Sequence, residues 1–243
     1  VSAVLPIYAA IPVVIILTVA LGFFIERAAY KPLRNAPRMS VMISAIGVSY
    51  LLENTATYVT GGQPMTYPTI GILNKTIDIV GTSTKLVVII TPVLVLVLIV
   101  LLTQLINHTK IGMAMRAVSK DFETARLMGI KINNVISMTF VIGSALAVVG
   151  SILYFTTYPA ITPTAGAMPG LKAFVAAVFG GIGSIPGAVI GAFLIGICET
   201  IIKGLPSAWN VSVVSDAFTF ALLIIILTCK PTGLFGEKAT DKV

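Results

Sequence analysis

Charge is what this sequence has least of. Of its 243 residues only 10% are Asp, Glu, Lys or Arg, against about a quarter in a soluble domain. With 57% apolar residues and a mean hydropathy of +1.03, a water-soluble fold of this length would carry a greasy exterior. The shortage excludes an ordinary soluble domain and makes the bilayer the natural solvent. Histidine and cysteine are almost as scarce. The single His108 has no second His or Cys near it in sequence, which argues against a metal centre. Cys198 and Cys229 both lie in apolar runs and read as small buried hydrophobes rather than a disulfide or metal site. There is no G-x-x-x-x-G-K-[ST] loop to hold ATP, and no G-x-S-x-G or H-E-x-x-H to carry hydrolysis. The chain is expected to be no enzyme and to need no cofactor. It also shows no basic n-region with a cleavage site, hence no signal peptide, and the lack of Met at position 1 leads us to expect a native start further upstream.

What is present are long apolar runs. A spanning helix needs about 20 mostly apolar residues. Residues 1–25 carry no charge and form a first candidate span. Residues 39–60 form a second, with Glu53 and Asn54 inside it. Gly61, Gly62, Pro64, Pro68 and Gly71 then break the chain, and the runs TIGIL and TIDIV predict a small hairpin outside the membrane. A third span is expected at 86–107, a fourth at about 135–157, and a last at about 211–229, with Asp216 near its start. Between the last two lies an apolar stretch broken by FGGIGSIPGAVIG.

The net charge of +7 could suggest nucleic acid, but the basic residues are scattered through short loops, a pattern that membrane topology explains better. The loop after the first span holds four Lys or Arg, the segment 108–134 holds five, and the tail holds three, so twelve of the sixteen fall on one side. That side is expected to be the cytoplasm, with 61–85 outside. The fourth span must then exit and the last re-enter, so residues 169–203 cross an even number of times, as two short helices or a re-entrant hairpin turning at GGIGSIPG.

Three features could carry function. The stretch MRAVSKDFETARLMGIKI is a charged island in an apolar chain, and it reads as two short helices. Ser119 is expected to cap the second, with Asp121 and Glu123 in its first turn and Gly129 at its end. Gly183, Gly187 and Gly191 recur every four residues and predict close helix packing, with a helix starting near Ile185. If the break lies at membrane depth, Gly181, Gly183 and Ser184 could face a substrate carboxylate. Ionisable residues in spans are functional suspects, and Glu53 with Asn54 could meet a substrate ammonium or simply bridge helices. Glu199, Lys203 and Asp216 are expected near the outer face.

The segment ETARLMG resembles the loop of ATP-binding-cassette importer permeases, with Glu123, Ala125 and Gly129 at the matching spacing and Thr124 in place of the usual Ala. With IERAAYKPLR, GLKAFVAAVFGGIGSIPGAVIGAFLIGICE and PTGLFG, the chain closely resembles the permease subunits of branched-chain amino acid importers across residues 25–235. Members of that family begin with further crossings that this sequence does not show. The resemblance implies an all-α, polytopic transmembrane bundle with a cytoplasmic coupling helix-turn-helix and a broken or re-entrant Gly-rich helix pair, forming one permease domain over 1–243. It implies two cytoplasmic ATP-binding subunits, a second related permease or a second copy, and an external substrate-binding protein, in a bacterial or archaeal inner membrane. Arg116, Asp121, Glu123 and Arg126 would pair with the ATPase, Phe122 and Leu127 would fill its groove, and Ala125 and Gly129 would allow close backbone approach. Relatives carrying urea or short amides keep the substrate open. An ion-coupled carrier or channel using Glu53 and Asp216 is the alternative of a different class.

Overall fold

With no water in the bilayer core, each backbone N–H and C=O must be satisfied within the protein, which leaves helices for an apolar chain such as this. The computed structural model describes residues 7–34, 36–68, 76–79, 82–181 and 183–204, with 217, 220, 221, 224, 225, 228, 230, 233 and 235 of the terminal stretch. The architecture is helical, as the sequence predicts, and falls into two compact units, Val1–Pro163 and Thr164–Val243.

The first unit opens with α1 (Ile7–Ile25), which runs directly into a single π-turn (Glu26–Tyr30), and then α2 (Arg38–Thr60). Short strands β1 (Met65–Thr66), β2 (Thr76–Ile79) and β3 (Thr82–Lys85) precede α3 (Leu86–His108). Two short helices, α4 (Lys110–Lys120) and α5 (Phe122–Leu127), lead to α6 (Ile132–Thr157) and β4 (Ala160–Ile161). Among the described residues, the stretches Ala9–Tyr30, Leu86–His108 and Ile132–Thr157 of this unit are long and apolar enough to cross a membrane. Helix α2 has 23 residues, about 34 Å at 1.5 Å per residue. It is long enough to span but less apolar than those three, because Glu53, Asn54 and several hydroxyl residues interrupt it.

Helices α1 and α6 run antiparallel. Ser137 donates to Glu26 Oε2 at 2.8 Å near one end. One helical step further in, a Cβ on Gly22 would fall 2.9 Å from the Ser144 Cβ, so only glycine fits this approach. At the opposite end, β1 pairs with β4 (Met65 with Ile161, Thr66 with Ala160), and Tyr67 N–H donates to the Pro159 carbonyl at 2.7 Å. Burial holds the Tyr67 phenol above its ordinary pKa, partly offset by a hydrogen bond with Thr156, so it stays neutral at physiological pH. The ends of α2 and α6 thus share a side, as the charge count requires. The predicted hairpin forms, but TIDI pairs with Thr82–Lys85; the TIGIL run lies outside the described residues. Ile16, Phe24 and Val93 are among the large apolar side chains exposed on the long helices, which suits lipid and not water.

The second unit contains α7 (Ala167–Gly180) and α8 (Ile185–Lys203), and α8 is also of spanning length and hydropathy. This is the broken pair expected over 169–203, with the helix start at Ile185 as predicted. Val175, Ala176, Phe179 and Ile195 form its core, with Phe220 packed on them. Most of the expected last span, Asp216 included, lies outside the described residues.

Glycine sets how closely α7 and α8 approach. A Cβ on Gly180 would stand 2.0 Å from the Gly187 carbonyl oxygen, and one on Gly191 would stand 2.6 Å from that of Ala176. Gly183, which the four-residue spacing groups with Gly187 and Gly191, is not part of this contact. It sits in the connecting turn at φ 97° with open space around it. The packing partner is Gly180, on the other helix. At the same end, Phe235 N–H donates to the Gly180 carbonyl at 2.9 Å, and Gly233, at φ 77°, lies where any side chain would strike Val178 and Gly181. At the far end of the pair Glu199 accepts from Lys172 at 2.7 Å and pairs with Lys203.

Candidate partner-docking site

The charged island folds as the two short helices the sequence predicts, with different caps. Thr109 caps α4, its hydroxyl oxygen accepting from Gly112 N–H at 3.1 Å. Gly112 lets α4 turn tightly off α3, since a Cβ there would sit 2.2 Å from the Ile106 carbonyl oxygen. Ser119, expected as the cap of the second helix, lies inside α4 and donates to the Arg116 carbonyl at 2.9 Å. Asp121 takes the capping role instead. Its Oδ1 accepts from Glu123 N–H at 3.0 Å and Thr124 N–H at 3.4 Å, and Oδ2 accepts from the Thr124 hydroxyl at 2.8 Å. A carboxylate here also suits the positive end of the helix.

Helix α5 ends in a Schellman arrangement. Gly129 N–H donates to the Arg126 carbonyl at 3.0 Å and Ile130 N–H to the Ala125 carbonyl at 3.1 Å, with Gly129 at φ 80°. No atom lies within 4 Å of where a Gly129 Cβ would stand, so its requirement is purely conformational. Gly129→Val should cost about 2 kcal/mol of local stability and Gly129→Asn less than half of that. The expected result is trypsin cleavage at Arg126 and Lys131 that is roughly tenfold faster for Val and under threefold faster for Asn; equal rates for both would exclude the left-handed cap.

The island is anchored on one face and bare on the other. Val118, Ala125 and Val135 form a buried cluster joined by Met115, Ile130 and Ile132, so α4 and α5 are both fixed to the start of α6. Ala125 is 3% exposed, while Phe122, Leu127 and Met128 are 56%, 87% and 77% exposed. Arg116 donates to the Asn107 side chain and carbonyl, both at 3.3 Å. Beside α5 opens a cleft of about 720 Å³ lined by Arg34, Phe122, Glu123, Arg126, Lys131 and Asn133 among others. It combines several cations, one carboxylate and an apolar ring, which suits a protein surface of mixed character.

Sequence reasoning did not single out the residues on the other side of this cleft. Glu26 is 1% exposed; it is ion-paired with Arg34 and accepts from Ser137, and Arg34 also donates to Asn133. The available signal was a carboxylate just past an apolar run, in the IERAAYKPLR stretch. The candidate path residues sit apart from the island. Glu53 is half-buried on α2 without a side-chain partner among the described residues, and Asn54 donates back to the Tyr50 carbonyl at 2.7 Å. In the second unit, Gly181 is buried at φ 111° and Ser184 caps α8 by accepting from Gly187 N–H at 3.2 Å. A further cavity of about 600 Å³ in the first unit is mostly apolar, with Thr18, Tyr67 and Ser151 in its wall.

Comparison with known proteins agrees with this arrangement. The family described as branched-chain amino acid transport system / permease component matches residues 1–227. The high-affinity branched-chain amino acid transport system permease protein LivH of Salmonella typhimurium is 41% identical over 235 residues, covering 94% of this chain and 74% of its own length. LivH of Escherichia coli K12 is 39% identical over 233 residues with the same coverage. The permease protein BraD of Pseudomonas aeruginosa is 39% identical over 239 residues, again covering 94% and 74%. No solved structure matches the chain. The chain therefore belongs to the branched-chain amino acid transport permease family, and it is an all-α, multi-pass protein of the inner membrane.

Proposed function

We propose that this chain is the membrane-spanning subunit of an ATP-driven importer that takes branched-chain or related amino acids from an external binding protein. The observation that carries this is the island. Two capped helices are fixed to α6 through Ala125 and Val118, yet they present Phe122, Leu127 and Met128 to solvent. A helix of six residues is not stable alone in water, and exposed apolar tips on an anchored scaffold fit insertion into a partner's groove. The charge count assigns the island to the cytoplasm, where a pair of ATPase subunits would meet it, and a second permease or second copy would complete the pathway.

Other residues take parts consistent with that reading. Glu53, with its half-buried and unshared carboxylate among the described residues, is placed to meet a substrate ammonium, with Asn54 beside it. The apolar cavity with its three hydroxyl-bearing residues has the chemistry that a branched aliphatic side chain and its polar end would require. Gly181, Gly183 and Ser184 lie at the end of α7–α8 where Phe235 docks, which favours a packing role over contact with a substrate carboxylate.

Co-purification tests the reading. A cognate ATPase pair should co-purify with the intact permease in detergent, and Glu123→Lys, which reverses a charge on the cleft, should lower its recovery at least tenfold. Uptake that persists in cells lacking the ATPase genes would overturn the importer reading in favour of an ion-coupled carrier.

A further inference from the structure

We propose that the buried Glu26–Arg34 pair is the joint through which movement of the island reaches α1. This rests on the importer reading and goes beyond it, by naming the residues that transmit the movement. Three segments that sequence keeps apart converge here. Glu26 opens the π-turn that ends α1, Arg34 lies in the loop that follows, and Asn133 and Ser137 lie one turn apart at the start of α6. Glu26 uses both carboxylate oxygens, one toward Arg34 and the other accepting from Ser137 at 2.8 Å. Arg34 spends its two terminal nitrogens on Glu26 and Asn133.

On the same turns of α6, Val135 belongs to the cluster that grips α4 and α5 through Val118 and Ala125. The start of α6 therefore has the island on Val135 and α1 on Asn133 and Ser137. A force on α5 that tilts α6 must also carry the end of α1, provided the ion pair holds. The placement of a full carboxylate at 1% exposure is costly unless paired and hydrogen-bonded. Hydrophobic residues of similar volume could hold two helices together as well, but only a forked guanidinium fixes their relative rotation through directional bonds. Arg34 Nε stays without a partner among the described residues, so the side chain is aimed for its two terminal contacts and not for full satisfaction. The π-turn has a matching role: its extra residue rotates Glu26 off the regular helix register, and such turns recur at functional positions.

Glu26 and Arg34 are thus positioning residues, acting through α1 and α6 and not on substrate. The test uses the full transporter, with its ATPase pair, companion permease and binding protein, reconstituted in liposomes. Radiolabelled leucine uptake and ATP hydrolysis are measured together. For Glu26→Gln and Arg34→Lys, ATPase recovery and ATP turnover should stay within twofold of wild type while leucine uptake falls at least tenfold. Leucine moved per ATP therefore falls at least fivefold. Ser137→Ala, which deletes one hydroxyl and suits a helix, should lower that ratio about threefold. An unchanged ratio in the variants that assemble would overturn the proposal, as would an uptake loss that only tracks the amount of permease in the membrane. If Glu26→Gln fails to accumulate, Ser137→Ala decides alone, and an unchanged ratio there is a refutation. Failure of the wild-type permease to retain any ATPase would instead sink the importer reading itself, and this joint with it.

Discussion

Gly187→Ala, a change of one methyl group, is expected to destabilise the permease severely, while Gly196→Ala on the same helix leaves it intact. Both glycines lie on α8 and both substitutions raise intrinsic helix propensity, by up to about 1 kcal/mol. The difference is what stands opposite. A Cβ on Gly187 would lie 2.4 Å from the Gly180 carbonyl oxygen, while a Cβ on Gly196 would meet nothing within 4 Å. Backbone cannot swing aside as a flexible side chain can, so relief requires α7 and α8 to separate. Separation forfeits dispersion contacts along Val175, Ala176, Phe179 and Ile195. Membrane helices have little else to hold them together, since lipid is as apolar as the partner helix. Overpacking of this kind costs about 1–3 kcal/mol or more, which corresponds to roughly 5–10 °C in thermal midpoint for a chain of this size. The double change Gly180→Ala with Gly187→Ala should prevent accumulation in the membrane altogether. Thermal melts of the detergent-solubilised protein check both, and a Gly187→Ala midpoint equal to that of Gly196→Ala would contradict the packing described.

The same contacts show what a linear reading can and cannot find. Hydropathy placed the long helices because each span must be apolar along its whole length. Gly129 was legible as a helix end because its requirement is local: a left-handed residue at φ 80°. Ser119 was misread as the cap because it precedes the first acidic turn and is a good capping residue. In the structure α4 simply continues to Lys120, and Asp121 offers two carboxylate oxygens where Ser119 would offer one hydroxyl. The four-residue glycine spacing named two of the packing glycines and misplaced the third. Spacing reports one helix face, and Gly180 belongs to the facing helix. Glu26 was invisible for a related reason. Its partner Ser137 is 111 residues away, and a π-turn shifts the register from which a face would be inferred. Residues whose role is set by neighbours on the chain were readable, and residues whose role is set across a packed interface were not.

Phe122→Asp with Leu127→Asp is the second change expected to have a large effect, and its logic is the reverse of the glycine case. These side chains are 56% and 87% exposed, and the cluster that anchors the island is built from Val118, Ala125 and Val135. The permease should therefore accumulate, melt and bind detergent as wild type does, since surface changes away from packing and caps stay within about 0.5 kcal/mol. A carboxylate driven into a partner's apolar groove is another matter. Truncating one well-seated apolar anchor costs about 2 kcal/mol or more, close to thirtyfold in affinity, and a buried unpaired charge adds to it. Even allowing for non-additivity, the pair should lower ATPase recovery at least a hundredfold and reduce uptake to background. Asp121→Ala supplies the contrast. Loss of that cap costs about 1 kcal/mol and loosens α5 without altering its contact face, so recovery should fall only about fivefold. If the two exposed apolar residues can be charged with no loss of ATPase while Asp121→Ala abolishes it, the island acts through its backbone position and not through the tips it presents. An equal and complete loss in both would place the partner on the capped end of α5.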